Sequence, residues 1–156
     1  MNNNKYSRGS EWRIWDLHVH TPASLVQHYK VTELLDVWEK YIQDLENLPP
    51  DIKVIGVNDY LFIDGYKKVL EYKNAGRLQN IDLILPVLEF RLSQFCGHSV
   101  FKRINFHVIF SNDVDADIIQ NQFLNALTAN YKLTPEYSDC TWGGVITNDS
   151  LIALGK

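Results

Sequence analysis

Two histidines stand one residue apart in the stretch DLHVHTPAS, residues 16–24, and this spacing is suited to metal binding. The stretch predicts a β-strand that ends near His20, and side chains two residues apart on a strand point to the same face. Asp16, His18 and His20 would therefore share one face. Three polar groups in a row are costly to bury unless something pairs with them. A metal ion is one such partner, and a hydrogen-bond network is the other.

Three more residues of metal-ligand type lie at or near the ends of other predicted strands. Asp59 comes just after the run VIGV, Glu89 follows the run LILPVL, and His107 lies within INFHVIF. In parallel α/β folds the functional residues gather at the carboxyl ends of strands. Imidazoles and carboxylates together suit zinc, manganese or iron. The pattern therefore predicts a divalent metal site built from His18, His20, Glu89 and His107.

Taken singly, these residues have plainer structural interpretations. Glu89 fits a surface carboxylate at a strand end, His107 fits a core histidine with satisfied hydrogen bonds, and Asp59 fits the first residue of a turn. Arg91 lies two residues beyond Glu89 and shares its face if the strand continues. Its guanidinium could then hold a phosphate, although a surface arginine is an equally good interpretation. Four strand ends that all carry ligand types favour the metal site.

The elements that would position these residues alternate between strand and helix. Apolar residues in 31–48 recur at spacings of three and four, which predicts an amphipathic helix that stops at Pro49-Pro50. Gly76 is the expected stop of a second helix. Such alternation predicts an α/β fold with parallel strands. The predicted strands are 12–20, 52–60, 81–90 and 104–110, and the predicted helices are 31–48, 64–76 and 111–127, with another helix opening at 149–156.

Composition indicates an ordinary globular protein. The chain has 156 residues, 46% apolar and 22% charged, which predicts a flexible leader over 1–11 and one domain over 12–156. A net charge of −4 gives no overall basic footprint for nucleic acid. The two cysteines predict reduced thiols in the cytoplasm. The sequence has no apolar run of the roughly 18 residues that a membrane span needs.

The order and spacing of these motifs resemble the PHP (polymerase and histidinol phosphatase) domain, a metal-dependent phosphoesterase. DLHVHTPAS resembles the family's first motif and VIGVNDY its strand that ends in Thr-Asp-His. LPVLEFRL resembles its strand that ends in a ligand glutamate, and FHVIFS its next histidine motif. The phrases NDYLFIDGYKKV and NIDLILPVLEFRL look like one branch, the PHP domains at the head of TrlF-like AAA/SMC-type ATPases. The resemblance covers roughly residues 12–112.

The resemblance implies a distorted (β/α)7 barrel, of which this chain would be the N-terminal part. A full (β/α) barrel takes about 250 residues, so we expect the domain to be truncated at its C-terminus. The resemblance also implies that His18 and His20 bind one metal, Glu89 bridges two metals, and His107 binds the second. One or two Zn, Mn or Fe ions are the implied cofactors.

The implied function is hydrolysis of a phosphoester. Asp59 would orient a water or a ligand histidine, and Arg91 would hold the phosphate. Nucleic acid or a nucleotide is the substrate class expected of an ATPase-linked protein, and an AAA/SMC-like ATPase region is the expected partner. The unpaired strand edges of a truncated barrel would favour a homo-oligomer.

Two departures from the family pattern leave other functions open. Tyr60 stands where the family has a histidine that ligates a third metal, and a phenol with a pKa of about 10 is a poor substitute near pH 7. The family's late Asp-x-His motif is absent from these 156 residues. An inactive metal-binding, docking or regulatory module is therefore the alternative. An amidohydrolase-like enzyme also opens with His-x-His, but that class needs a lysine on a middle strand, and here the third strand ends in Glu89.

Overall fold

Strands and helices alternate through the described part of the chain, which comprises residues 12–24, 34–100 and 102–124 of a computed structural model. They form a mixed α/β fold, and the strand predicted over 52–60 is confirmed at both ends. The elements are β1 (Ile14–Val19), α1 (Leu34–Glu46), β2 (Ile52–Tyr60), α2 (Asp64–Asn74), β3 (Leu83–Cys96), β4 (Lys102–Ile109) and α3 (Ala116–Ile118), which continues as a π-helical segment (Ile119–Leu124).

The four strands form one sheet in the order β1-β2-β3-β4. β1, β2 and β3 are mutually parallel, but β4 runs antiparallel to β3. The prediction of parallel strands alternating with helices is therefore wrong for β4. Only residues 97–101 separate β3 from β4, and a parallel neighbour needs a crossover of a dozen or more residues. β3 also continues past the predicted end at Phe90, because Phe95 and Cys96 pair with the start of β4.

The core lies between the sheet and the two long helices. β2 is flanked by a strand on each side, and its residues 54–59 are all buried, as expected of a central parallel strand. Each fully buried large apolar side chain contributes about 1.5–3 kcal/mol relative to an exposed one. The core includes Tyr41, Ile42 and Leu45 of α1, Tyr66 and Val69 of α2, and Ile55, Val57 and Leu88 of the sheet.

Gly56, in the middle of β2, permits a close approach of β1. A Cβ atom at this position would lie 2.8 Å from Cγ2 of Val87 and 2.9 Å from Cα of Leu17. The backbone of Leu17 therefore lies on the face of β2 to which a side chain at position 56 would point. The register between β1 and β2 shifts at the same place, between Asp16 and Val19. Both features displace the end of β1 across β2.

The first two helices each end two residues before their predicted ends at 48 and 76, whereas the third differs more. α1 ends before Pro49-Pro50, and α2 ends just before Gly76, whose φ of +90° is a left-handed conformation. The third helix was predicted over 111–127, but α3 begins only at Ala116. Asp115 has extended backbone and caps the helix, because its side chain accepts a 2.7 Å hydrogen bond from the backbone N–H of Asp117.

Four parts of the sequence predictions lie outside the described residues: the leader over 1–11, the helix start at 31–33, the end of the third helix at 125–127 and the helix opening over 149–156. Among the helices that the structure describes, none is both long enough and apolar enough to cross a membrane.

Candidate metal centre

Three of the four predicted metal ligands, all imidazoles, surround a carboxylate oxygen of the fourth, Oε2 of Glu89. The Nε2 atoms of His18 and His20 each lie 3.2 Å from this oxygen, and Nε2 of His107 lies 3.7 Å from it. The Nε2 atoms of His18 and His20 are 3.1 Å apart. The ring of His18 also meets the ring of His107 edge-on, with 4.7 Å between the centroids. Groups from the end of β1, from β3 and from β4 thus form one cluster.

The sheet register explains this convergence. Glu89 pairs with Tyr60 of β2 on one side and with His107 of β4 on the other, so Glu89 and His107 are neighbours on one face. β1 is not adjacent to β3, and two strand spacings amount to about 9–10 Å in a flat sheet. The close approach of β1 at Gly56 shortens this distance. His18 and His20 can therefore reach Glu89 across β2.

The separations within the cluster fit ligands that share one ion. Two ligand atoms bound at about 2.1 Å lie roughly 3.0–3.4 Å apart when their bonds make right or tetrahedral angles. Three of the separations within the cluster are 3.1–3.2 Å. His18, Glu89 and His107 form a group that could hold a metal ion, since one ligand atom from each lies within 4.8 Å of the others. His20 joins this group through its contacts with His18 and Glu89.

The charge distribution in the cluster also favours a cation. The Glu89 side chain is completely buried. Among the described residues its partners are three imidazoles and two asparagine amides, and none is a lysine or arginine. Burial lowers the pKa of His20, with His18 and His107 acting in the same direction against the attraction of Glu89. A neutral imidazole offers a lone pair to a metal, and a buried carboxylate needs a cationic partner.

The cluster is closed on the Glu89 side and open on the histidine side. His18 is half exposed, with 50% of its side chain accessible, and His20 and His107 are about a quarter exposed. An ion held by these four groups would therefore border solvent. Catalytic metal sites keep an open coordination position, whereas structural zinc sites are closed by protein ligands.

Two asparagines fix the buried carboxylate. Nδ2 of Asn105 donates a 2.5 Å hydrogen bond to Oε1 of Glu89. Nδ2 of Asn58 donates to Oε2 of the same carboxylate at 3.3 Å. Hydrogen-bonded partners of this kind orient metal-binding carboxylates and are commonly important for affinity.

Ser24 orients the imidazole of His20. The turn Thr21–Ser24 is closed by a 3.0 Å hydrogen bond from the Ser24 N–H to the Thr21 carbonyl. This turn brings Oγ of Ser24 to 3.2 Å from Nδ1 of His20. If Nε2 offers its lone pair to an ion, Nδ1 carries the proton and donates a hydrogen bond to Oγ of Ser24.

Asp59 lies beneath the turn rather than among the ligands. Its side chain is buried, and it accepts hydrogen bonds from the N–H of Thr21 at 2.9 Å and from Oγ1 of Thr21 at 2.6 Å. Its Oδ1 is 4.0 Å from Nδ1 of His20, which is beyond hydrogen-bonding distance. Burial raises the pKa of Asp59, and the two bonds from Thr21 oppose the rise. Asp59 therefore positions the turn that follows the histidines.

Tyr60 occupies the end of β2 next to the cluster. Its ring stacks on that of His20, with 5.3 Å between centroids and an interplanar angle of 22°. The next residue, Leu61, has a φ of +61°, a conformation that leucine rarely adopts. This bend turns the chain away from the sheet and towards α2.

Two other predicted residues stand apart from the four ligands. Asp16 does not join them, because its Oδ1 accepts a 3.1 Å hydrogen bond from the backbone N–H of His18. Arg91 is part of β3, where it pairs with Asn105. Its side chain is outside the described part of the structure, so its predicted contact with phosphate stays a prediction.

The sequence analysis missed the polar residues that support the ligands. The buried polar or charged residues in the described part of the chain are Thr21, Ser24, Asn58, Asp59 and Glu89, of which the sequence predicts only Asp59 and Glu89 as site residues. A signal for Ser24 was available, because it follows the histidine pair within a proline-containing turn. Asn105 precedes His107 by two residues on a strand, a spacing that puts both on one face.

Comparisons of this chain with protein-family models, with curated proteins and with solved structures found no match. The resemblance to PHP domains therefore stays a prediction that rests on the motifs alone. The geometry of the histidine–glutamate cluster is independent of that resemblance, since it follows from the contacts described above.

Proposed function

We propose that this chain is a divalent-metal-dependent phosphoester hydrolase. The observation that carries the proposal is the convergence of three imidazole nitrogens on one buried carboxylate oxygen, at 3.2, 3.2 and 3.7 Å. His18, His20, Glu89 and His107 would hold one or two Zn, Mn or Fe ions. The exposed histidine side of the cluster would leave room for a substrate.

The substrate class rests on the motif resemblance. DLHVHTPAS, VIGVNDY, LPVLEFRL and FHVIFS occur in the order in which PHP phosphoesterases use their metal-binding motifs. On that basis the sheet would be the first part of a distorted barrel, and the chain would be the head of an ATPase-linked protein. A nucleic acid or a nucleotide would then be the substrate.

The residues of the chain would have distinct functions in the reaction. A divalent ion bound here would polarise a phosphoryl oxygen and lower the pKa of a water molecule. Glu89, fixed by Asn58 and Asn105, would supply the negative charge that retains the cation. Ser24 would hold the His20 ring in the tautomer that binds metal, and Asp59 would keep the turn in place.

A non-catalytic metal-binding or docking module is the second candidate function, and Tyr60 favours it. Its phenol stands where the family pattern has a metal-binding histidine, and its ring covers one face of His20. A ligand set without that histidine would hold fewer ions. Retention of metal without turnover would identify this alternative.

The experiment that tests the proposal measures metal content and hydrolysis on the same preparations. Wild-type protein, purified without chelator, is compared with the His18→Ala/His20→Ala double variant by mass spectrometry. The matched control is His98→Ala, because His98 is an exposed histidine in the β3–β4 connection. Bis(p-nitrophenyl) phosphate and p-nitrophenyl phosphate, each with added Mn²⁺, then report hydrolysis.

We expect one or two metal equivalents in wild type and in His98→Ala, and a loss in the double variant. Hydrolysis that follows metal content supports the phosphoesterase. Metal without hydrolysis supports the binding module. Wild-type protein that takes up neither Mn²⁺ nor Zn²⁺ would contradict both candidate functions.

A further inference from the structure

Asn58 lies at the centre of the cluster, although no sequence motif assigns it a function there. It is a residue of β2, the strand between β1, which carries His18, and β3, which carries Glu89, and it is completely buried. Its Nδ2 is 3.3 Å from Oε2 of Glu89 and 3.3 Å from Nε2 of His107. The amide thus contacts the same two atoms that an ion would bind.

The other atom of the Asn58 amide has no hydrogen-bond partner among the described residues. Oδ1 is buried and makes no hydrogen bond within the described part of the structure. A carbonyl oxygen loses its hydrogen bonds to water on burial, and leaving it unpaired is unfavourable. The side chain therefore has one atom directed into the cluster and one acceptor that is unsatisfied in this arrangement.

Metal binding would remove the reason for this orientation. Nδ2 can donate to Nε2 of His107 only if that nitrogen presents its lone pair, and an ion needs the same lone pair. A half-turn about the Cβ–Cγ bond exchanges the two amide atoms and brings Oδ1 to the place of Nδ2. Oδ1 would then be 3.3 Å from Oε2 of Glu89 and 3.3 Å from Nε2 of His107. Such separations suit ligands that share one ion.

We propose that Oδ1 of Asn58 is an additional ligand of the ion and thereby selects its chemical class. A neutral amide oxygen beside a carboxylate adds oxygen character and raises the coordination number. Such a set favours six-coordinate Mn²⁺ or Fe²⁺ over Zn²⁺, which prefers four ligands in tetrahedral geometry. This inference rests on the metal site of the proposed function, but not on the reaction that the site performs.

The test compares metal selectivity in wild type, Asn58→Leu and Asn58→Asp. Leucine is similar in size and removes the oxygen, whereas aspartate keeps an oxygen at the same position. Competition with a chromogenic chelator gives the affinities for Mn²⁺ and Zn²⁺. The visible absorption of Co²⁺-loaded protein gives the coordination number, because four-coordinate Co²⁺ absorbs far more strongly than six-coordinate Co²⁺.

We expect Asn58→Leu to weaken Mn²⁺ binding about tenfold or more, the scale found for lost metal-site partners, and to weaken Zn²⁺ binding much less. The Co²⁺ absorption should become stronger. Asn58→Asp should keep the weak absorption and the Mn²⁺ preference. Because it retains size and an oxygen, this variant keeps the inference falsifiable if Asn58→Leu does not fold.

The control is Asn105→Leu, which removes a hydrogen bond to Oε1 of Glu89 on the other side of the carboxylate. Since Asn105 would act only through Glu89, its loss should weaken the binding of Mn²⁺ and of Zn²⁺ to a similar extent. The inference is overturned if Asn58→Leu behaves like this control, with an unchanged Co²⁺ spectrum, or if Asn58→Asp loses the Mn²⁺ preference. Those results would leave the metal site itself intact, whereas absence of metal in wild type would refute the proposed function.

Discussion

The carboxylate of Asp59 occupies the space that a Cβ atom at Gly65 would need. Oδ2 of Asp59 and Oγ1 of Thr21, which are hydrogen-bonded to each other at 2.6 Å, both overlap with that position. The first turn of α2 therefore packs directly against the pair that holds the turn after His20. The turn after β1, the strand β2 and the helix α2 thus meet at this glycine.

The substitution Gly65→Ala should consequently disturb the metal centre from a distance. The new methyl group must displace Asp59 or Thr21, and overpacking of this kind costs about 1–3 kcal/mol. We expect a lower free energy of unfolding together with weaker metal binding, because the turn positions His20 and Ser24. Urea unfolding and Co²⁺ titration measure the two effects.

The control for this prediction is Gly76→Ala at the other end of α2. A Cβ at Gly76 meets nothing within 4 Å, but its φ of +90° strains any other residue. This variant should lose stability through backbone strain alone and keep the wild-type metal affinity. Equal metal affinity in Gly65→Ala and Gly76→Ala would show that the packing against Asp59 does not support the site.

A second prediction concerns the close approach of β1 to Gly56. An alanine methyl at this position would lie 2.9 Å from Cα and 3.0 Å from the carbonyl oxygen of Leu17, which are backbone atoms that cannot rotate away. Gly56→Ala should push β1 outwards and separate His18 from Glu89. We expect a loss of metal binding of about tenfold or more, measured by chelator competition, with Gly76→Ala again as the control. Unchanged affinity would mean that the approach at Leu17 is not needed for the histidines to reach Glu89.

Much of the ligand arrangement could be predicted from the sequence because it depends on local patterns. The β-branched run before Asp59 predicts a central strand, and β2 has the predicted bounds. Side chains two residues apart on a strand share a face, so the meeting of His18 and His20 followed from their spacing. The rule that polar residues gather at carboxyl ends of parallel strands holds for Glu89, where the pairing of β3 with β2 ends.

The remaining features depend on tertiary contacts that local patterns do not encode. β3 continues past Phe90 only because β4 folds back against it, and the sequence of 91–96 has no strand signal of its own. The antiparallel direction of β4 follows from the short connection at 97–101. The sequence places Asn105 on the face of His107 but gives neither Asn105 nor Asn58 a role, since asparagine is common in turns and on surfaces, and only the structure brings their amides to Glu89.

Ser24 provides a third prediction, on the tautomer of His20. Ser24→Ala removes the oxygen 3.2 Å from Nδ1, so the ring loses the partner that keeps the proton away from Nε2. Metal affinity should fall about tenfold, as it does when partners of metal-binding histidines are lost, while the metal-free protein should keep most of its stability. Ser24→Thr retains the hydroxyl and should restore binding. If Ser24→Thr is as weak as Ser24→Ala, the hydroxyl is not what orients His20.

The ion pair between Glu46 and Arg77 leads to a prediction on pH. Nε and Nη2 of Arg77 donate to the two carboxylate oxygens of Glu46 at 2.8 and 2.7 Å, and the N–H of Leu78 donates at 3.0 Å. These bonds tie the end of α1 to the connection before β3. The hydrogen bonds from Arg77 hold the pKa of Glu46 below its ordinary value.

A carboxylate whose pKa is depressed in the folded state stabilises the fold above its unfolded pKa, about 4.3 for glutamate, and this contribution is lost as the pH falls through the folded value. Glu46→Gln should therefore lower Tm by a few degrees at pH 7, and the difference from wild type should shrink below about pH 4. The matched control is Glu71→Gln, since Glu71 is 65% exposed and its ion pair in the described part of the chain is with Lys68, one turn away in α2. Exposed pairs of this kind contribute little. Thermal unfolding, followed by circular dichroism, gives the Tm of wild type, Glu46→Gln and Glu71→Gln at pH 7 and below about pH 4. A difference between wild type and Glu46→Gln that persists undiminished in acid would mean that the charge of Glu46 is not its source.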